Sequence, residues 1–382
     1  MKREPQAAVG SAIHRLLFLM PMMLLVGLLL QSCTGEAYKL GLISGLSGGN
    51  ADSGEAGRNG ALLAVEEANR MGGVKGRHID LLIRDDGHNR IMAITAAQDL
   101  VNQRVEAIIG AFSTTMTEAV MTVTERAGML VFTPTSSALQ LVGKDDNLFR
   151  LCSSTTENAE DYADFMVRRR DYSTTTIAFD LQNFSFSQNW VAEFEKAYSR
   201  LGGEIKAQSS FNSLVLTGYN DLVEELLAPE PEAVLLVANS VDVARLAQQI
   251  RKVDISTPII AVEWAGTQQL IELGGKAVEG VEVLQIFDKF GTQERFLRFI
   301  DEYRKRFKIE PNFSGVIAYE TVQVILEAEK NRRQGESLKE AILRNSPYQG
   351  LQQEFIINEY GDTRRDSSFV IIRNQKFEKS PL

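Results

Sequence analysis

The chain of 382 residues has few of the side chains that bind metals or form disulfides. It contains two cysteines and three histidines, too few for a disulfide framework or a structural zinc site. It also lacks an excess of basic charge, since 41 basic residues stand against 50 acidic ones. This balance would repel a phosphate backbone and argues against nucleic acid as a partner. With 44% hydrophobic residues and no low-complexity tract, the composition is that of a soluble globular protein.

A short apolar run from Leu16 to Leu30 lies near the N-terminus. At about 1.5 Å per residue it cannot cross a hydrocarbon core of roughly 30 Å, so residues 1–32 are predicted to be a secretory signal. The run ends in Leu30-Gln31-Ser32-Cys33, which resembles the lipobox of bacterial lipoproteins. Cys33 would then carry the lipid, and residues 33–37 would form a tether. The alternative is ordinary cleavage that leaves Cys33 as a spare thiol.

The second cysteine, Cys152, follows the apolar stretch Leu148-Phe149-Arg150-Leu151. A cysteine in such surroundings is more often a small buried packing residue than a reactive thiol. We therefore expect Cys152 to pack in a core.

From Tyr38 onward, short apolar runs alternate with stretches of helical period. The runs do not alternate between apolar and polar residues, as expected for strands covered on both faces. They cover residues 40–43, 79–83, 107–109, 130–132, 176–179, 234–238 and 259–262. Alternating strands and helices predict the α/β fold class with doubly wound parallel sheets. This many strand–helix units are too many to pack around a single hydrophobic core, which favours two lobes.

One enzyme motif is present, because Gly45-Leu46-Ser47-Gly48-Gly49 satisfies the GxSxG pattern of a hydrolase. The next helix is expected to begin only beyond Asp52, however, and no histidine follows His88 to complete a triad. A glycine-rich turn is the better interpretation. His78 and His88 lack clustered partners and are expected to be solvated. We predict no catalytic residue, no metal site and no cofactor.

Hydroxyl side chains cluster after two consecutive predicted strands, where open α/β sheets bind ligands. Ser113 and Thr114 precede a helix near Met116, and Thr135 and Ser137 follow the next strand. Free amides and hydroxyls at a helix N-terminus favour an anion, so the two clusters together could hold one carboxylate. The alternative is that both are plain helix caps.

Motifs in a fixed order resemble the branched-chain amino acid (leucine/isoleucine/valine-type) ABC-transporter solute-binding proteins. They include 41–48, 58–69, 72–77, 84–86, 109–110, 133–134, 149–150, 201–203 and 311–319. The resemblance implies a type I periplasmic-binding-protein fold, in which two lobes joined by three crossovers close on a ligand. With crossovers near Ser153 and Ile286, the first lobe comprises 38–153 plus 286–345 and the second 154–285 plus 346–378.

The resemblance also implies ligand contacts. The family's carboxylate-binding hydroxyls match Thr114 and Ser137, and a carbonyl that accepts from the ligand ammonium matches Thr135. The family's ammonium-binding acid matches Glu263. A carboxylate at the end of an apolar strand is independently costly to bury unpaired, although an exposed loop acid is the alternative.

Three positions where relatives commonly offer tyrosines are here Ser53, Phe184 and Asn239. The loss of aromatic rings at two of them predicts a pocket shaped differently from a leucine site. Trp264 could replace part of that bulk, although core packing is the more frequent role of a tryptophan.

These features predict a lipid-anchored solute-binding protein outside the cytoplasmic membrane. It would bind an amino acid or related zwitterion and deliver it to an ABC permease with its ATPase subunits. Three alternatives stay open: a ligand-binding sensor component, a binder of a non-amino carboxylate or amide, and, more distantly, an enzyme.

Overall fold

The computed structural model describes residues 36–48, 51–212, 214–215 and 218–381. The predicted signal, Cys33 and the start of the predicted tether lie outside this part of the chain. Within it, no helix is long and apolar enough to cross a bilayer. The same residues contain no group of histidine, cysteine, aspartate and glutamate side chains suited to a metal ion.

The first lobe is built on a parallel sheet with the strand order β2-β1-β3-β4-β5. Its strands are β1 (Tyr38–Ser44), β2 (Ile79–Asp85), β3 (Ala107–Ile109), β4 (Val131–Thr133) and β5 (Leu148–Arg150). Its helices are α1 (Ala51–Arg70), α2 (Arg90–Asn102) and α3 (Thr114–Ala127), which alternate with these strands.

The second lobe is built on a sheet with the order β14-β13-β10-β9-β8-β6-β7. Its parallel strands are β6 (Thr174–Asp180), β7 (Glu204–Phe211), β8 (Ala233–Val237), β9 (Ile259–Ala261) and β10 (Glu282–Gln285). Its helices are α4 (Thr155–Asp164), α5 (Phe184–Arg200), α6 (Asn220–Leu227), α7 (Ser240–Val253) and α8 (Gln268–Gly274).

The chain then returns to the first lobe with three more helices: α9 (Glu294–Phe307), α10 (Phe313–Asn331) and α11 (Leu338–Asn345). A short hairpin follows, β11 (Tyr348–Gln349) with β12 (Glu354–Phe355). The chain ends on the second sheet with β13 (Ser368–Arg373) and β14 (Lys376–Lys379), which pair antiparallel.

The predicted α/β class with two parallel-sheet lobes is confirmed, and its cause is visible in the burial of the central strands. Every residue of β8 is buried, because helices cover both faces of the sheet. Helix α5 turns Trp190 and Phe194 inward at helical spacing, and α9 does the same with Phe296, Phe299 and Tyr303.

The chain crosses between the lobes where short segments join the two sheets. The first crossover lies between β5 and α4, where Ser154 and Glu157 form a capping box that begins the helix. The second follows β10, because Ile286 and Phe287 already pack in the first lobe. The third lies between Arg365, which pairs with Glu320 of α10, and β13.

The third crossover corrects the sequence-based boundary, which assigned all of 346–378 to the second lobe. Tyr348, Leu351 and Phe355 belong to the core of the first lobe. Asp362 holds Arg150 of β5 in an ion pair of 2.9 Å. These contacts bring residues 346–365 onto the first lobe, so that only β13 and β14 complete the second sheet.

Cys152 is free, buried and packed in the core of the first lobe. Its thiol faces the carbonyl oxygen of Ser136 at 3.6 Å. Burial raises the pKa of this thiol to about 11, so it stays protonated at neutral pH. The expectation of a packing cysteine is confirmed.

Candidate ligand-binding site

The loops that follow the strands of both sheets meet in a cleft between the lobes. Asp52, at the start of α1, accepts hydrogen bonds from Thr267 Oγ1 at 2.7 Å and Ser240 Oγ at 3.1 Å across the cleft. Elsewhere along the cleft, Ser185 of α5 donates to Glu118 of α3 at 2.7 Å. The lobes are therefore held together by polar bonds at separate places, in a closed arrangement.

The first lobe contributes hydroxyl groups at the N-terminus of α3. Ser113 is the N-cap residue, but its side chain makes no capping hydrogen bond. The hydroxyls of Thr114 and Thr115 are buried and without a hydrogen-bond partner among the described residues. Because these hydroxyls do not cap the helix, they remain available to an anion at its positive end.

The second hydroxyl cluster fastens the loops around this helix end. Thr133 Oγ1 donates to the carbonyl of Ala111, and Thr135 Oγ1 donates to the carbonyl of Phe112, both at 2.8 Å. Ser137 lies 3.1 Å from the hydroxyl of Thr155 at the first crossover. The side chains of Thr135 and Ser137 thus already hold neighbouring loops, and each keeps further hydrogen-bonding capacity.

The second lobe contributes a buried carboxylate immediately beyond β9. Glu263 opens a short helical turn and is only 8% exposed. Its Oε1 accepts from Asn158 Nδ2 at 2.9 Å. Oε2 makes no well-formed hydrogen bond in the described part of the chain, although the Trp190 side chain lies close enough to the carboxylate to offset part of the rise in its pKa. Burial raises the pKa of Glu263 from 4.5 to about 7. A cation that enters the cleft would compensate this desolvated charge.

A second buried acid, Asp180, was missed by the sequence analysis. It ends β6, is fully buried, and its Oδ2 is also unpartnered in the residues described. Burial raises its pKa to about 7. The signal was the same as for Glu263, an acid directly after the apolar residues 176–179.

A narrow pocket lies beside these groups. Its lining residues are Gly45, Ser53, Gly54, Asp86, His88, Phe112, Ser113 and Trp264. Ser53, Ser113 and Trp264 were predicted site residues. Trp264 comes from the second lobe and packs edge-on against Phe186, with the ring centroids 5.8 Å apart.

Two predicted positions are used differently from the expectation. Phe184 is the first residue of α5 and is 45% exposed. The ring that packs against Trp264 is that of Phe186 instead. The Asn239 side chain is held by Asp242, accepting from its backbone N–H at 3.0 Å and donating to its carboxylate at 2.7 Å. Asn239 therefore serves as the N-cap of α7.

Ser53 lines the pocket, yet its hydroxyl lies 2.8 Å from that of Ser314 on α10. This bond ties α1 to α10 within the first lobe. The two predicted surface histidines also differ. His78 is solvated as expected, with a side chain 68% exposed. The expectation is wrong for His88, whose Nε2 atom is buried.

Two α/β lobes that close over an enclosed set of unsatisfied polar groups define a protein of the ligand-binding class. The periplasmic binding protein family matches residues 37–376. The chain belongs to that family, whose proteins are extracytoplasmic.

Known binding proteins resemble this chain over most of its length. The leucine-, isoleucine-, valine-, threonine- and alanine-binding protein of Pseudomonas aeruginosa is 22% identical, over 82% of this chain and 83% of that protein. The branched-chain amino acid transporter substrate-binding protein LivJ of Streptococcus pneumoniae, solved with isoleucine, superimposes with a TM-score of 0.83 at 20% identity. The superposition covers 90% of this chain and 98% of LivJ.

A solute-binding protein of R. palustris, solved with benzoate, superimposes with a TM-score of 0.79 at 16% identity. The superposition covers 90% of this chain and 95% of the R. palustris protein. At these identities the solved structures establish the shared fold.

Proposed function

We propose that this protein is the solute-binding component of an ABC importer and that it binds an amino acid or related zwitterion by closure of its lobes. The observation that carries the proposal is the buried Glu263 carboxylate, which no cation among the described residues neutralises, in one lobe together with unpartnered hydroxyls at a helix N-terminus in the other. These are complementary to the two ends of a zwitterion.

The ligand carboxylate is assigned to the first lobe. The N-terminus of α3 carries a partial positive charge, and the Thr114 hydroxyl lies there without a partner in the described structure. Ser113 and Ser137 supply further hydroxyl donors, and the backbone carbonyl of Thr135 would accept from the ligand ammonium. Neutral donors at a helix end bind a carboxylate without burying a second full charge.

The ligand ammonium is assigned to Glu263. The carboxylate is already oriented by Asn158, and an ammonium would satisfy the oxygen that lacks a partner. Closing the lobes around the ligand also forms the bonds from Thr267 and Ser240 to Asp52. The ligand therefore stabilises the closed state by its own contacts to both lobes.

We also propose that Cys33 carries a lipid that anchors the protein at the outer side of the cytoplasmic membrane or at the cell surface. The lipobox-like Leu30-Gln31-Ser32-Cys33 supports this, as does the extracytoplasmic location of the family. The closed protein would deliver its ligand to a membrane permease powered by ATPase subunits. Labelling with radioactive palmitate should mark the native protein and leave a Cys33→Ser variant unmarked.

A binder of a carboxylate that lacks an amino group is the second candidate. It is favoured by the aromatic rings of Phe112 and Trp264 in the pocket and by the benzoate in the R. palustris relative. A protonated Glu263 could donate a hydrogen bond to such a ligand.

Mass spectrometry of the small molecules released when the purified protein is denatured tests the proposal, followed by calorimetric titration of the amino acids. The proposal expects a released amino acid that rebinds the ligand-free protein. Binding only by molecules without an amino group would overturn it in favour of the second candidate.

A further inference from the structure

In the wall of the narrow pocket, the loop after β2 brings His88 against the β1–α1 loop. The approach is close: a Cβ at position 45 would lie only 2.5 Å from His88 Nε2. Glycine at position 45 is therefore required for the imidazole to occupy this place. The sequence carries the glycine and the histidine 43 residues apart, so their contact arises only from the parallel pairing of β1 and β2.

The imidazole has an unsatisfied atom there. His88 Nε2 is buried and makes no hydrogen bond to any described residue, although it lines the pocket. The backbone of His88 is fixed, since its N–H donates to Asp86 Oδ1 at 2.9 Å. Asp86 also lines the pocket and is 1% exposed.

The groups that face His88 come from both lobes. Asp86 is on its own loop, Phe112 and Ser113 come from the β3–α3 loop, and Trp264 comes from the second lobe. The polar side-chain groups among these neighbours are Asp86, the hydroxyls of Ser53 and Ser113, and the indole N–H of Trp264. The hydroxyl of Ser53 already lies against Ser314, and Ser113 lies at the helix end assigned to the ligand carboxylate. A partner for Nε2 must thus come from outside these residues, either an ordered water or a ligand side chain.

We propose that His88 is a specificity-determining residue, and that the site selects a small amino acid whose side chain carries a hydroxyl or an amide. The proposal rests on the proposed function. An aliphatic side chain of the same shape would fill the space but leave His88 Nε2 unsatisfied. Sites built to hydrogen-bond a ligand reject isosteres that lack the bonding group far better than apolar sites reject the reverse.

Two pairs of isosteric amino acids test this by calorimetric titration of the full mature chain. Threonine differs from valine, and asparagine from leucine, in polar atoms at nearly constant shape. The native protein should prefer the polar member of at least one pair by about tenfold or more. In His88→Leu that preference should fall to about threefold or less, chiefly because the polar ligand binds more weakly.

His78→Leu is the matched control, because His78 is a solvated histidine of the same lobe, and it should keep the native preference. If His88→Leu fails to fold, as judged by its melting temperature, His88→Gln serves instead, since a shorter amide should retain part of the preference. Equal or tighter binding of valine and leucine by the native protein would overturn the inference while leaving the proposed function intact. An unchanged preference in a folded His88 variant would do the same. No binding by any amino acid would overturn both.

Discussion

The two lobes share one architecture but carry different chemistry at the groups assigned to the ligand. The first lobe offers neutral hydroxyls and the end of a helix, with Thr114 and Thr115 unpartnered among the described residues. The second offers buried carboxyl groups, Glu263 and Asp180, whose pKa values burial raises to about 7. Each set is unfavourable to bury alone. Under the proposed function, a ligand with an anionic and a cationic end would satisfy both, and closure of the lobes would bring both sets onto it.

Removing the charge of Glu263 tests this difference between the lobes most strongly. Glu263→Gln keeps an oxygen that can accept from Asn158 but loses the attraction for an ammonium. We expect amino acid affinity to fall about 100-fold, or about 2–3 kcal/mol, as for other buried charge pairs that lose one partner. Calorimetry measures this, with the exposed Glu224→Gln as the control. A loss below about threefold would mean that Glu263 does not meet the ammonium.

The same carboxylate predicts a pH dependence with a definite sign. Since burial raises the pKa of Glu263 from 4.5 to about 7, the group becomes neutral as the pH falls through 7. Affinity for a zwitterion should then decline toward tenfold per pH unit, reaching about 30-fold at pH 5.5. The dependence should flatten in Glu263→Gln. A flat profile in the native protein would contradict the assignment.

The stability of the ligand-free protein should change with pH in the direction opposite to that of the affinity. A carboxyl with a raised pKa in the folded state binds its proton more tightly when folded, so its contribution to stability grows as the pH falls from 7. That gain is complete below 4.5. The melting temperature of the ligand-free native protein, compared with that of Glu263→Gln, should therefore rise across this window. Asp180 acts in the same direction and is present in both proteins, so it cancels in the comparison.

In the first lobe, Thr114→Val removes a hydroxyl and conserves shape. Amino acid affinity should fall about tenfold, because a hydrogen bond to the ligand carboxylate is lost. The ligand-free melting temperature should stay the same or rise, since the hydroxyl is buried without a described partner. Thr122→Val, on an exposed position of the same helix, should change neither quantity. A large loss of stability with unchanged affinity would assign Thr114 to the fold alone.

The bonds that join the lobes should have the smallest effect. Asp52→Ala removes the acceptor of Thr267 and Ser240 and so weakens the closed state without touching the charged groups. We expect affinity to fall about threefold, by a shift of population toward open lobes. Small-angle scattering should show a larger radius of gyration at subsaturating ligand. Glu55→Ala, one turn along α1, is the control. A loss as large as that of Glu263→Gln would mean that Asp52 contacts the ligand.

The sequence predicted the strands whose continuous apolar runs indicate burial on both faces of a sheet. The apolar run at 234–238 coincides with β8, every residue of which is buried. Strand β7 was not predicted, because it lies at the sheet edge and alternates exposed residues such as Glu204 with half-buried ones. The antiparallel β13 and β14 depend on a third crossover that no local pattern marks.

The burial of two predicted site residues could be anticipated from their place after a strand. Glu263 lies directly beyond the apolar run 259–262, and Thr114 lies a few residues beyond the run 107–109. The burial of His88 Nε2 could not be anticipated, because its surroundings come from Gly45, Phe112 and Trp264, which the fold assembles from three loops in two lobes. The capping role of Asn239 depends on Asp242 and is visible only once α7 has formed.

Calorimetric titration of one matched ligand series tests the central claim most directly. The series contains the amino acid that binds most tightly, the same molecule without its amino group, and the same molecule without its carboxylate. If the two lobes hold opposite ends of a zwitterion, each truncated molecule should bind at least about 100-fold more weakly than the intact one. Equal binding of the acid that lacks the amino group would contradict the account.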